Sequence, residues 1–250
     1  MTKAKEIIRK MESMHDEAQR NILMRFFKTG PGQYGEGDEF LGIRVPQTRM
    51  LVREYKSLPL EEVPQLLLSP WHEVRLCGLL ILADKFERET RKNIFLGREE
   101  TLRRDKILKM YLRYARQANN WDLVDLSAPN ILGHWLLLPT NLKKSKLETM
   151  DNLAHSSNLW LQRISMVSTW KTTRSGDPSW CLRYAETHLG HTHDLMHKAV
   201  GWMLREVGKH ASLDLLRSFL QLHVHDMSRT TLRYAIEKMS ENERKHWMSL

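Results

Sequence analysis

An internal repeat with a step of 35 residues constrains the fold of this chain more than any other feature. The segments that align are Gln162–Val167, His197–Trp202 and Leu232–Glu237, with an irregularly spaced relative at Val74–Leu79. A step of this length fits a pair of helices with their turns, and such a unit cannot bury its apolar face alone. The sequence therefore predicts an all-α fold, an αα-superhelix (α-solenoid) in which helical repeats stack.

Helical spacing of apolar residues also runs through the rest of the chain, and no convincing pair of strands appears. The segments with this spacing are Val45–Tyr55, Val74–Phe86, Leu102–Tyr114, Leu159–Trp170 and Leu195–Val207. Helix starts are marked by a capping residue followed by a proline at Ser69-Pro70 and Asp177-Pro178, and by a capping-box pattern at Ser240–Glu243. The long irregular candidate is Thr29–Asp38, which we interpret as a connector near a ligand. Residues 1–250 are predicted to form a single domain.

Composition limits the class of protein and of partner. Hydrophobic residues make up 41% of the chain, which is enough for a substantial core, and a net charge of +9 favours a polyanionic partner. No apolar stretch is long enough to span a membrane, and Met1–Lys10 lacks the apolar region of a signal peptide. Cys77 and Cys181 both lie in helical apolar patterns, so reduced core thiols are expected. These features predict a cytoplasmic protein.

The repeat places basic residues at equivalent positions, namely Arg163, Lys198 and Arg233. Equivalent positions of stacked repeats line up along one surface, so these three are predicted to form a basic track. The alternative is a set of solvated helix faces. Cations repeated along one surface suit a duplex backbone, which favours nucleic acid as the partner. The other basic groups, His72–Arg75, Arg103-Arg104 and Lys143-Lys144, are expected to be solubilising surface.

Trp121 and Asp125 are the candidate residues for chemistry, because helix positions four apart lie on one face. An indole beside a carboxylate suits a group that is cationic or becomes cationic, such as a sugar ring that loses its base. The plain alternative is a core Trp with a solvated Asp. Trp202 is a second candidate, because its equivalents in the neighbouring repeats are Val167 and Glu237.

Other chemistries find weaker support in the sequence. His193 and His197 are four apart, and His223–Asp226 is rich in metal ligands, but zinc sites need three or four converging ligands with second-sphere support. There is no Gly-x-Ser-x-Gly elbow for a nucleophilic serine. Lys198 is better suited to hold a phosphate than to form a Schiff base. We therefore predict no metal and no cofactor.

Five segments in order along the chain resemble the AlkD-like DNA alkylation repair family, bacterial DNA glycosylases built from HEAT-like helical repeats. These are Phe40–Pro46, Trp71–Arg75, Trp121–Asp125, Trp160–Arg163 and Lys198–Glu206. The resemblance runs through most of the chain. It implies removal of N3- and N7-alkylated purines from duplex DNA by hydrolysis of the N-glycosidic bond. A monomer is the default for a solenoid that wraps DNA, and a cytoplasmic protein with this partner is expected to associate with the nucleoid.

The resemblance also implies roles for particular residues. Asp125 would be the catalytic carboxylate, Trp121 and Trp202 the indoles that flank the deoxyribose of the lesion, and Arg163 a clamp on the DNA backbone. Where the family often carries a Tyr in its N-terminal helical region, this sequence has Phe26 or Phe27.

Two alternatives remain open on the sequence alone. The first is a non-catalytic binder of damaged or branched DNA, which would need the basic surface but not the carboxylate. The second is a HEAT-type scaffold for protein interactions, for which the positive charge would be incidental.

Overall fold

The computed structural model describes residues 2–91, 98–138 and 143–250, which form two compact helical units, 1–127 and 128–250. Among the described residues, the extended backbone is limited to an isolated bridge between Glu39 and Trp71. The predicted all-α fold is therefore confirmed. The division falls at the end of one helix, and the prediction that 1–250 is a single domain stays a prediction.

The first unit holds seven helices among its described residues. They are α1 (Lys3–Glu12), α2 (Glu17–Phe26), α3 (Val45–Glu54), α4 (Val63–Leu67), α5 (His72–Arg91), α6 (Arg98–Arg113) and α7 (Trp121–Ala128). α5 packs against α3, α4 and α6, and among the described helices of this unit it contributes the most buried apolar residues. Between α2 and α3 the chain makes a series of turns, which confirms the irregular segment predicted from its glycines.

The second unit continues through a turn of π-helix at Pro129–Gly133. Its helices among the described residues are α8 (His134–Leu137), α9 (Lys143–Ala154), α10 (Leu159–Arg174), α11 (Ser179–His188), α12 (Asp194–His210), α13 (Leu213–His223), α14 (Arg229–Ala235) and α15 (Glu241–Ser249). α10 packs on α12 and α12 on α14, whereas α9, α11 and α13 pack against these helices as a second layer. Helix pairs thus stack one on the next, as in an α-solenoid.

Capping residues set the repeat of the second unit. α10, α12 and α14 each begin one residue after a side chain that accepts a hydrogen bond from a backbone N–H of the first turn, and these caps are Asn158, His193 and Ser228. The caps lie 35 residues apart, which confirms the step seen in the sequence. Ser240 caps α15 through the backbone N–H of Glu243, as its capping-box pattern predicts.

Glycine allows the successive helices of this layer to approach closely. A Cβ at Gly201 of α12 would lie 2.4 Å from the carbonyl oxygen of Thr231 on α14. A Cβ at Gly133 would lie 2.6 Å from the carbonyl oxygen of Ser168 on α10. The absence of a side chain at these two points therefore sets the spacing between neighbouring repeats.

Both cysteines are free and buried, as predicted, and burial raises the pKa of each thiol to about 12. Neither Cys77 nor Cys181 thus provides a thiolate near neutral pH. Within the described ranges, none of the helices has the length and apolar character needed to cross a membrane.

Candidate active site

The start of α7 is built by the short loop before it. The Asn120 side-chain oxygen accepts a hydrogen bond from the backbone N–H of Trp121 at 2.8 Å, and the Asn120 carbonyl accepts from the N–H of Val124 at 3.2 Å. The first bond satisfies a donor that a helix start leaves without an intrahelical partner, and the second is the first i→i−4 bond of the helix. The helix therefore begins at Trp121.

Helix geometry places Trp121 and Asp125 on one face of α7, one turn apart, as the sequence predicts. Both side chains are partly exposed, whereas Asp122 in the same first turn is buried. The two carboxylates of this helix thus lie in different environments. Asp125 can be reached from solvent, and Asp122 faces the core.

Phenylalanines flank the indole of Trp121. The ring of Phe26 meets it edge to face at 5.8 Å between centroids, and the ring of Phe27 lies at 5.3 Å. Phe26 is 59% exposed, whereas Phe27 is buried and stacks on Phe40 at 5.2 Å. Phe26 and Trp121 therefore form an exposed aromatic pair beside the helix that carries Asp125. Phe26 and Phe27 thus both contact this indole.

Beneath this pair lies a buried cluster of charges. The two ring nitrogens of His72 lie 2.7 Å from a carboxylate oxygen of Asp38 and 2.9 Å from one of Asp122. Arg75 donates to the other oxygen of Asp38, and at 3.0 Å to the side chain of Asn119. Burial alone lowers the pKa of His72, but Asp122 and Asp38 outweigh it and raise that pKa to about 9. His72 is therefore an imidazolium at neutral pH.

The same cluster governs the ionisation of Asp38. Burial raises the pKa of this carboxyl, but the hydrogen bond and charge of His72, with the charge of Arg75, hold the pKa below its usual value. His72 also stacks on Phe40, with ring centroids 4.3 Å apart. The cluster thus combines two cations with two carboxylates against an aromatic wall.

Glu73 fixes the neighbouring segment to the start of α5. Its buried carboxylate accepts hydrogen bonds from the backbone N–H groups of Leu41, Gly42 and Ile43 at 2.9, 2.9 and 3.1 Å. Gly42 has φ +88°, and a Cβ there would lie 2.2 Å from a backbone oxygen of Asp16. Two of the segments that carry the family resemblance, Phe40–Pro46 and Trp71–Arg75, are thereby joined.

The prediction that His72–Arg75 is solubilising surface is wrong, because His72, Glu73 and Arg75 are 1%, 2% and 4% exposed. Their partners lie up to 50 residues away in the sequence, so local charge gave no sign of them. The same prediction fails at Arg104, which is buried. A signal was present, since His72 and Arg75 are three apart at a helix start among apolar residues.

In the second unit, the predicted residues differ in their surroundings. Trp202 is partly exposed on α12, Lys198 pairs with Asp194 at 2.7 Å, and Arg233 is exposed on α14. Arg163 is only 4% exposed and donates to the backbone carbonyl of Leu195 at 2.6 Å. The three cations therefore do not form one exposed row. The guanidinium of Arg163 is buried where α10 packs against the start of α12. The role of Arg163 as a clamp on the DNA backbone stays a prediction.

The fold and the match to a family model together show the family to which the chain belongs. Its fold is that of an all-α helical-repeat protein, with an exposed aromatic pair and a carboxylate at one helix start. Residues 7–239 match the family described as DNA alkylation repair enzyme. The chain belongs to this family, and its role is in the repair of alkylated DNA.

A solved structure with a similar fold is that of a predicted DNA alkylation repair enzyme from Enterococcus faecalis. It superposes with a TM-score of 0.67 at 16% sequence identity, over 91% of this chain and 97% of that one. At this identity the likeness shows the fold alone. No curated protein matches the sequence.

Proposed function

We propose that this protein is an AlkD-like DNA glycosylase, which hydrolyses the N-glycosidic bond of N3- and N7-alkylated purines in duplex DNA. The observation that carries the proposal is the solvent-accessible Asp125, one helical turn from Trp121, whose partly exposed indole contacts the exposed ring of Phe26. Family membership supports alkylated DNA as the substrate.

The chemistry follows from these residue types. An alkylated purine already carries positive charge and is a good leaving group, so departure of the base leaves an oxocarbenium-like sugar. An ionised Asp125 stabilises that cation and orients the water that attacks it. The face of the Trp121 indole attracts the same cation. This reaction needs neither a metal nor a Schiff base.

The second unit would supply contacts to the DNA. Lys198 and Arg233 present cations that can displace counterions from phosphates, and Trp202 presents an indole. These roles rest on the positions of the residues in the repeat and on their exposure.

The test is base release from a duplex with one 7-methylguanine, measured under single-turnover conditions. Asp125→Asn should reduce the rate by about 100-fold or more and leave duplex affinity within about twofold, because the lost charge acts on the transition state. Asp214→Asn is the matched control, since Asp214 is exposed on α13 and should leave the rate unchanged. Equal rates for Asp125→Asn and wild type would refute the assignment. Duplex binding without any base release by the wild type would favour the non-catalytic binder.

A further inference from the structure

We propose that His72 is a positioning residue for the candidate active site, whose imidazolium, held between Asp38 and Asp122, fixes the first turn of α7 and hence Trp121 and Asp125. Its expected effect on base release rests on the function proposed above. Its effect on the structure of α7 does not.

Hydrogen-bond geometry requires the charged form of His72. Each ring nitrogen has a carboxylate oxygen within 3 Å, at 2.7 Å for Asp38 and 2.9 Å for Asp122. A neutral imidazole donates from only one nitrogen, and an ionised carboxylate can only accept. Between two ionised carboxylates, both contacts are hydrogen bonds only when both nitrogens carry a proton. The ring is therefore a cation that bridges two anions.

Asp122 depends on this bridge. Its side chain is buried, and its second oxygen has no hydrogen-bond partner among the residues that the structure describes. Loss of the imidazolium would leave a buried carboxylate without its counter-charge, which is among the costlier defects in a protein interior. Asp122 would then leave its place, and the helix turn that carries it would shift.

The first turn of α7 is tied to α5 at two points. Arg75 holds Asn119, just before the helix, and His72 holds Asp122, the second residue of the helix. Trp121 lies between these two ties, and Asp125 lies one turn further on. Because α7 has only eight residues, the rotation of Asp122 about the helix axis determines the direction in which Trp121 and Asp125 point.

The first experiment uses the wild-type protein with ¹⁵N-labelled histidine. At pH 7 the ring of His72 should show protons on both nitrogens, and His72→Gln identifies the signal by its loss. The carboxylates Asp38 and Asp122 face this ring from the loop after α2 and from α7, and Arg75 of α5 pairs with Asp38. A ring with one proton at pH 7 would overturn the proposal.

The second experiment compares His72→Gln with His188→Gln, which changes the buried histidine of the second unit. Hydrogen exchange of the α7 amides should accelerate at least tenfold in His72→Gln, with little change in α14, and stay unchanged in His188→Gln. Base release should fall at least tenfold in His72→Gln, with duplex affinity within twofold. Unchanged exchange in α7 would overturn the proposal.

Two further measurements keep the test decisive. Asp122→Asn keeps the shape of the side chain and takes the place of His72→Gln if that variant does not fold. It should accelerate hydrogen exchange of the α7 amides in the same way. In wild type, base release should fall as the pH rises past about 9, and His72→Gln should lack this step. If the wild type releases no base, the proposed function fails, whereas ring protonation and amide exchange still decide the role of His72.

Discussion

Among the described residues, each unit of the molecule buries one histidine, and the two lie under different local conditions. His72 in the first unit lies between two carboxylates, which raise its pKa to about 9. His188 in the second unit lies 3.0 Å from the hydroxyl of Ser165, and burial, with the charges of His191 and His155, lowers its pKa to about 4. The first is a cation at neutral pH and the second is neutral. The partners, and not burial as such, therefore decide the charge of a core histidine.

The largest expected effect is on stability. His72→Gln should lower the free energy of unfolding by about 3 to 5 kcal/mol, because it leaves the buried carboxylate of Asp122 without its counter-charge, whereas Asp38 keeps Arg75. His188→Gln should cost only about 1 kcal/mol, the size of one neutral hydrogen bond. Urea denaturation at pH 7, followed by tryptophan fluorescence, measures both. Equal losses would show that the two histidines do not differ in charge.

The pH dependence of stability should run in opposite directions for the two histidines. The His72 pKa is raised on folding, so its contribution is complete below about pH 6.5 and is lost as the pH rises through about 9. The His188 pKa is lowered, so its contribution is complete above about pH 6.5 and is lost as the pH falls through about 4. For each histidine, the free energy of unfolding should change by about 3 kcal/mol once the pH has passed both the folded and the unfolded pKa.

Unfolding measured from pH 4 to pH 10 for wild type and for each Gln variant isolates these contributions. The difference between wild type and His72→Gln should shrink only on the alkaline side. The difference between wild type and His188→Gln should change only on the acid side, where it should first shrink and then reverse in sign, because protonation of the buried ring makes wild type the less stable protein. If the difference in the free energy of unfolding between wild type and His72→Gln stays constant up to pH 10, the pKa of His72 is not raised.

Glu73 tests whether other buried charges of the first unit also depend on their neighbours. Glu73→Gln should lower the free energy of unfolding by about 2 kcal/mol. The amide nitrogen of Gln would face one of the three backbone N–H groups that donate hydrogen bonds to the carboxylate of Glu73. Cleavage by protease at residues 28–44 should become faster. Glu206→Gln is the control in the second unit, because it changes a buried glutamate that pairs with the side chains of Arg205 and His210 and should leave cleavage at residues 28–44 unchanged. A resistant segment in Glu73→Gln would contradict this anchoring role.

The smallest effect on stability is expected for an exposed charge. Lys198→Ala should change the free energy of unfolding by less than about 0.5 kcal/mol, since exposed ion pairs contribute little. It should nevertheless reduce the slope of duplex affinity against salt by about 1, because one phosphate contact is lost. Lys245→Ala removes a comparable pair with Glu241 on α15 and should leave that slope unchanged. An unaltered slope in Lys198→Ala would remove this residue from the DNA contacts.

The fold could be predicted well from the sequence because its determinants are local. The caps Asn158, His193 and Ser228 and the apolar spacing around them act within one helical turn, and they set the 35-residue step. The shared face of Trp121 and Asp125 follows from helix geometry alone. Such features need no knowledge of distant parts of the chain.

The environment of the site could not be predicted in this way. His72 gains its charge from Asp38 and Asp122, which are 34 and 50 residues away in the sequence. Arg163 is buried because α10 packs against the start of α12, where a backbone carbonyl accepts its hydrogen bond. Contacts of this range depend on tertiary packing, which periodicity does not specify.

The balance of charge in the cluster of Asp38, His72, Arg75 and Asp122 has a practical consequence. Ions in solution screen exposed charges over about 10 Å at 0.1 M salt, but they hardly reach pairs enclosed by protein. Added sodium chloride should therefore weaken the binding of surface lysines and arginines to a duplex, while the buried cluster near Trp121 keeps its structure. Ionic strength thus becomes a clean experimental variable, which separates how strongly the protein holds DNA from how well it is aligned to act on it.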